Sequence, residues 1–350
     1  ALSNGGQGIF GSIADDVSSV TSVNCYVANG SWSDAAADAS LNSVSIQHLS
    51  STTEVINTTT TIYVDYTRGS INVPYALFWQ TNYTRQIDAV EINQDWINLY
   101  VSKGTVPLIS GDKLTGDITI TDTNFYFTFA EPGVAFDGQG FTVTINNVPN
   151  FNGLFHNGTF DTNGQANITI KNLGVLSTGN TTLGTNNGWV GKSYFGRGAS
   201  NNKIENCYST GPISGQYAGG ICGAIAGYGG STFSILNCYS LGPISGSQSG
   251  GICGGSTGGD NGRVTVSNCY SLGAISGTDA GGICGSNTSY DNGIVTVANC
   301  YSAGALTTSG AQGIFGSIFG GTATSVNCYV ANGSWTDAAA DASLNSVSIQ

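Results

Sequence analysis

Nine cysteines, two histidines and a thin scatter of carboxylates are the side chains of this 350-residue chain best suited to covalent, metal or acid–base chemistry. Eight of the cysteines fall into two columns. Cys207, Cys238, Cys269, Cys300 and Cys328 form one, and Cys222, Cys253 and Cys284 form the other. No CxxC pair occurs, which argues against a zinc site. If each interval is one layer of a stack, neighbouring thiols lie about 4.8 Å apart, inside the Cα separation that a disulfide tolerates. Phe315 stands against bridging: it takes the place of a column cysteine while the following Cys328 persists, and Phe10 with Cys25 repeats the substitution. Exchange of Cys for Phe marks small apolar core positions, hence buried free thiols. Disulfides between the columns are the alternative.

General acid–base work needs two ionisable groups that converge. From 200 to 330 the charged side chains are Lys203, Glu205, Asp260, Arg263, Asp279 and Asp291 alone. Asp260 and Asp291 stand at the same interval as the column cysteines, but each opens an Asp-Asn-Gly turn, where the carboxylate serves its own backbone. A calcium site is the sharper alternative, weakened by the shortage of further acidic ligands. His48 and His156 are isolated in sequence. The chain therefore reads as a non-enzyme with no catalytic, cofactor or metal set. Asn-x-Ser/Thr acceptors are numerous in so Asn-rich a chain, so the motif alone decides nothing; the loop positions Asn57, Asn157, Asn180 and Asn287 are the candidates for N-glycosylation on a secretory route.

The elements that position these residues come from an internal repeat. Asn206-Cys207-Tyr208-Ser209 recurs at Asn237, Asn268 and Asn299 with an unvarying period of 31, and a last Asn327-Cys328-Tyr329 follows at a slightly shorter interval. Gly219-Gly220-Ile221-Cys222-Gly223 keeps step at Gly250 and Gly281, and at Gln312 it becomes Gln-Gly-Ile-Phe-Gly. Arg263–Ser267 and 294–298 alternate β-branched and small residues, which is strand periodicity, and each follows a Gly-bearing turn. Glycine at this density excludes helical repeats, at roughly 1 kcal/mol each. One repeat is then one coil of about three short strands, and stacked coils pair as parallel sheets. The fold class predicted is all-β: a parallel β-helix, right-handed as parallel crossovers usually are. Irregular coils extend it upstream, so that 111–330 make seven or eight coils and a rod about 35 Å long. The Asn of each Asn-Cys-Tyr should turn a corner, so that Asn206, Asn237, Asn268, Asn299 and Asn327 stack as an amide ladder.

Gly138-Gln139-Gly140-Phe141, Phe151-Asn152-Gly153-Leu154-Phe155 and the repeated NCYSxGxISG…GGICG resemble the Gly-rich β-helix repeats of surface adhesins, of GLUG-like type. More closely still they resemble repeat surface proteins encoded by giant DNA viruses, whose blocks finish with a pattern similar to Trp32–Ala37 and Trp335–Ala340. The resemblance covers about 115–350 and 7–47. It implies a surface role and carries over no catalytic residue. The stretch 49–110 matches no family.

The end module is present twice. Residues 21–47 return at 324–350 with one change, Ser33 to Thr336, and Gln7–Ile13 returns at Gln312–Ile318. The organisation predicted is a terminator of one coil plus a short helix at 1–48, duplicated at 312–350, with Ser33 and Thr336 as N-caps. A linker and small β-rich domain at 49–110 follow the first copy, and the β-helix with its cap fills 111–350. Ile87–Tyr100 fits either a helix or a short strand pair, since Ile92, Trp96, Leu99 and Tyr100 have helical spacing. Only 9% of residues are charged, against about 25% in an average soluble chain, yet no apolar run approaches the roughly 18 residues that span a bilayer. A net charge of −12 with nine basic residues offers no footprint for nucleic acid. The function expected is a structural protein, polymerising with copies of itself into an extracellular or virion-surface fibre. A glycan-binding adhesin is the alternative, and a polysaccharide-degrading β-helix enzyme the least favoured.

Overall fold

The structure is a computed structural model that describes residues 89–98, 104–308 and 310–330 in full. Elsewhere it gives only the backbone of the helix end at 99–100 and of five short strands: Tyr26–Ala28, Gln47–Leu49, Tyr63–Asp65, Asn72–Pro74 and Val347–Ile349. The chain divides into two units, Ala1–Asp88 and Ala89–Gln350. In the first, Tyr26–Ala28 pairs in parallel with Gln47–Leu49, and Tyr63–Asp65 pairs antiparallel with Asn72–Pro74.

The second unit is a parallel β-solenoid. Two nine-stranded parallel sheets run its length. The first takes one strand per coil, from Glu91–Ile92 through Asn202–Glu205, Thr232–Leu236, Arg263–Ser267 and Ile294–Ala298 to Thr322–Val326. The second runs from Ile118–Ile120 through the Tyr-Ser pairs at 208, 239, 270 and 301 to Cys328–Val330 and Val347–Ile349. A third side is stitched by single parallel bridges, such as Cys222 to Cys253 and Cys253 to Cys284. Thr169 is in register with Lys203, Val264 with Val295, and Val295 with Ala323, so from Thr169 onward the coils shorten toward the C-terminal end.

Alternation sets what faces inward. In Arg263–Ser267 and Ile294–Ala298 the valines at 264, 266, 295 and 297 are buried and their neighbours point outward. In the irregular upstream coils aromatic rings fill the interior: Phe127, Phe136 and Phe155 meet at 5.2–5.8 Å between centroids. From 237 to 298 the buried apolar side chains are Ile, Val, Cys and Ala alone. Glycine is required where coils touch: a Cβ on Gly242 would lie 1.8 Å from the Gly211 carbonyl oxygen of the coil before.

Two expectations are corrected. The stack does not begin at 111: Glu91–Ile92 already pairs in parallel with Lys113–Leu114, so 89–110 belong to the solenoid and not to a separate β-rich domain. The ambiguous stretch resolves as that strand followed by a helix, Gln94–Tyr100. Asn93 caps it, its Oδ1 accepting from the Trp96 amide at 2.9 Å. Trp96 and Ile97 are buried against the coil, as an end-covering helix requires. The helices expected at 33–42 and 336–345, with their caps Ser33 and Thr336, lie outside the described residues.

Candidate functional site: the stacked side-chain columns

Repetition turns each residue of the Asn-Cys-Tyr-Ser unit into a column. The asparagines occupy the corner in left-handed backbone, φ 50–56° from Asn172 to Asn327, a conformation that Asn tolerates better than most residues. Each Nδ2 donates to the Oδ1 one coil earlier: Asn206 to Asn172 at 3.0 Å, Asn237 to Asn206 and Asn268 to Asn237 at 3.1 Å, Asn299 to Asn268 at 3.3 Å and Asn327 to Asn299 at 3.2 Å. All the donors point the same way, so the amide dipoles add. At the donor end Asn172 gives its Nδ2 to the Asp137 carboxylate at 3.0 Å, which is the charge that end of the row favours. Burial opposes ionisation of Asp137, but the Gln139 amide, Asn172 and Lys171 outweigh it and hold the carboxyl below its ordinary value.

Inward from the corner stand Cys207, Cys238, Cys269, Cys300 and Cys328, all buried and none in a disulfide. Each of the middle thiols is fixed twice. Cys238 Sγ donates to the Leu236 carbonyl at 3.1 Å and accepts from the Cys207 amide at 3.4 Å. Cys222, Cys253 and Cys284 are likewise buried and free on the bridged side. Burial pushes Cys222 and Cys238 well above the ordinary thiol range, and the neighbouring Cys269 sulfur raises Cys300 to about 12. Neutral, sealed thiols are poor nucleophiles and poor metal ligands. At its last described position the bridged column changes from Cys284 to Phe315, which is still only 1% exposed.

Tyrosines point outward as a ladder. Tyr208, Tyr239, Tyr270 and Tyr301 stack with centroids 4.8–4.9 Å apart and planes within 7° of parallel. The ladder starts on Gly174, where a Cβ would fall 2.3 Å from the Tyr208 ring. Next along the strand, Ser209, Ser240, Ser271 and Ser302 turn inward, buried, with hydroxyls that meet no hydrogen-bond partner. Only small side chains fit, because Gly220, Gly251 and Gly282 lie against the last three; nothing in the surroundings explains Ser over Ala.

A second aromatic column lies at the turn edge. Phe160, Tyr194 and Tyr228 succeed one another at 6.0 and 6.3 Å, with the Arg197 guanidinium 5.4–5.9 Å from all three rings. Further along the rod, Tyr290 and Phe319 stack at 6.0 Å. Phe160 and Phe319 are 69% and 58% exposed, the most open large apolar side chains described. Sequence reading missed this column, the Tyr ladder and the Ser row. Tyr and Ser were visible as the third and fourth letters of the repeat; the turn aromatics were not, because their spacing varies with coil length.

Asp260 and Asp291, the stacked carboxylates of the repeat, stay in their turns at φ 51° and 52°, the Asn261 amide donating to the Asp291 carbonyl at 3.0 Å. Among the described residues no three His, Cys, Asp or Glu side chains come together to hold a metal. No described helix is long and apolar enough to cross a membrane. His156 is enclosed against Tyr126, rings 3.6 Å apart, and burial, followed by the Lys192 charge, lowers its pKa to about 3. His48 lies outside the described side chains. Of the glycosylation candidates, Asn157 is corrected: it is 3% exposed, its Oδ1 accepts from the Gln165 amide and its Nδ2 donates to the Gln165 carbonyl at 3.0 Å. Asn180 is exposed, Asn287 is half-buried, and Asn57 lies outside the described residues.

The fold and its columns define a parallel β-solenoid. No known family and no curated protein matches the sequence. Among solved structures, a candidate immunoglobulin A1 protease from Bacteroides ovatus aligns with a TM-score of 0.39 and 21% identity, over 69% of this chain and 71% of that one. A likeness at that level carries no argument about activity.

Proposed function

We propose that this chain is a non-enzymatic structural protein that joins copies of itself lengthwise into an extracellular filament or a fibre on a cell or virion surface. The observation that carries the reading is the register of the columns. Like stacks on like, the tyrosines as far as Tyr301 and the asparagines as far as Asn327 in the last described coil. Where every coil makes the same contacts with the next, a coil from another copy is as good a neighbour as one from the same chain. The duplicated end module supports the same reading. The partners are then other copies, with no cofactor, no nucleic acid and no membrane insertion. Electron microscopy and sedimentation across a concentration range test it. Rods longer than one unit are expected; particles of a single one-chain size at high concentration overturn it.

A glycan-binding adhesin is the second reading, and the turn-edge column of Phe160, Tyr194, Tyr228, Tyr290 and Phe319 favours it. Open aromatic rings suit the apolar faces of sugars. The Tyr ladder suits them less, because its ring faces cover one another. Glycan-array binding lost in Phe160→Ala and Phe319→Ala, without self-assembly, would select this reading over the first.

A further inference from the structure

At the turn edge, successive coils place Arg197, Tyr228, Gly259 and Tyr290 in one column at the period of the repeat. Backbone bonds fix that register: the Gly198 amide donates to the Tyr228 carbonyl at 2.8 Å, Gly229 to Gly259 at 3.3 Å and Asp260 to Tyr290 at 3.0 Å. The Arg197 guanidinium lies over the Tyr228 ring, 5.4 Å from its centroid, so the stack itself packs a planar cation on a tyrosine. One coil further on, the column has no side chain. Gly259 is the floor of a slot between two rings: a Cβ there would lie 3.2 Å from Tyr228 Cδ2 and 3.3 Å from Tyr290 Cδ1. No left-handed φ demands glycine at this position, and no carbonyl presses on it as one does on Gly242. Arg197 covers Tyr228 from one side and Phe319 covers Tyr290 from the other, which leaves the facing sides of the two tyrosines to the slot.

We propose that this slot binds the guanidinium of an arginine side chain carried by a partner polypeptide. The inference does not depend on lengthwise assembly, and it gives the turn edge a ligand other than a glycan. Shape selects a flat group. One carbon atom at the floor would touch both rings, so a planar group fits where a pyranose chair or a tetrahedral ammonium is too thick. Charge selects a cation. Burial and then the Asp260 carboxylate raise the Tyr228 hydroxyl, and Asp291 acts in the same sense, so two carboxylates stand close to the slot. Arg197 opposes them from the far side of the ring. Neither carboxylate is in an ion pair among the described residues. Guanidinium is both flat and cationic, stacks on aromatic faces and can give its N–H groups to a carboxylate at the same time. In the slot it repeats, one step along, what Arg197 already does on Tyr228. The net charge of −12 draws such a cation toward the rod.

Calorimetric titration of the full chain with Nα-acetyl-arginine methylamide tests it, beside the matching lysine compound, free arginine and methyl glucoside. The blocked arginine should bind, the lysine compound about tenfold more weakly, and methyl glucoside not at all. Free arginine should also bind more weakly, because its α-carboxylate meets Asp260 and Asp291. Gly259→Ala puts one carbon into the slot at a φ that alanine accepts. It should weaken binding of the blocked arginine about tenfold and leave the melting midpoint unchanged. Tyr290→Leu removes one wall without touching the backbone and should cause a similar loss. Asp260→Asn keeps a residue that tolerates the φ of 51° and should weaken binding several-fold. Equal affinity for the arginine and lysine compounds overturns the proposal, as does affinity unchanged in both Gly259→Ala and Tyr290→Leu. Preference for methyl glucoside gives the slot to a sugar, and preference for free arginine makes the ligand an amino acid; either overturns it. So does failure of the blocked arginine to bind at millimolar concentration.

Discussion

His156 shows at one residue how enclosure in the stack changes chemistry. Its pKa of about 3 lies below the ordinary 6.5, so between those values the unfolded chain binds a proton that the folded chain refuses. The stabilising contribution is complete above pH 6.5 and is lost as pH falls, at up to about 1.4 kcal/mol per pH unit. Urea unfolding of the native protein and of His156→Phe from pH 7 to pH 4.5 should show the native midpoint falling and the variant's falling less; parallel curves would refute the burial argument. Asn268 offers a second test, because its backbone and its side chain are separable. Asn268→Ala loses two ladder bonds and puts a Cβ-bearing residue of lower tolerance at φ 54°, at a combined cost of roughly 2–3 kcal/mol. Asn268→Gly loses the same bonds without the strain, so its denaturation midpoint should lie above that of the alanine variant. Equal midpoints would mean that the corner backbone is unstrained. In a host that glycosylates, Asn180 should carry the glycan while Asn157 stays bare, and peptide mapping reads both.

Among the elements, the coil is where sequence and structure meet most closely. The alternation Arg-Val-Thr-Val-Ser and the regular return of Asn-Cys-Tyr-Ser were enough to place strands, corners and inward cysteines, because a solenoid converts sequence period directly into vertical neighbours. Where the period fails, so does the reading. Glu91–Ile92 pairs with Lys113–Leu114 across a shorter stretch than any of the regular coils, and no repeated letter marks that coil. Asn157 reads as a loop sequon, but its burial depends on how Gln165 folds back over it, a contact set by tertiary packing alone. The buried columns yield two predictions at this scale. The eight described thiols, raised and sealed, should react with a thiol reagent only as fast as the stack opens, so the labelling rate should follow unfolding across denaturant. Fast labelling of several thiols in the native state would contradict their burial. Ser240→Ala removes a hydroxyl that has no partner, and the melting midpoint should hold or rise, by the equivalent of about 1 kcal/mol. A clear fall would reveal a bond to the Ser240 hydroxyl, such as one to an enclosed water.

For the whole molecule, the proposed lengthwise assembly sets contact between ends against the charge of the body. Stacking of coil on coil by backbone pairing and apolar cover would act over contact distance and hardly respond to salt. The net charge of −12 acts over the screening length and opposes the approach of any second copy. Raising ionic strength from about 0.01 M to about 0.15 M shortens that length from about 30 Å to about 8 Å. Repulsion between copies is then confined to their immediate surfaces, while contact-range stacking is unaffected. Lengthwise assembly should therefore be slow in low salt and speed up as salt is added, and light scattering at fixed protein concentration reads it. An interface held by opposite charges behaves the other way, dissolving as salt rises. The described solenoid gives little material for such an interface: its ion pairs, Lys113–Glu91, Lys171–Asp137 and Lys203–Glu205, join residues of the same or adjacent coils along the side of the rod and none lies at the last coil. Assembly that weakens between those two salt concentrations would mean that copies meet through charged surfaces and not by stacking coil on coil.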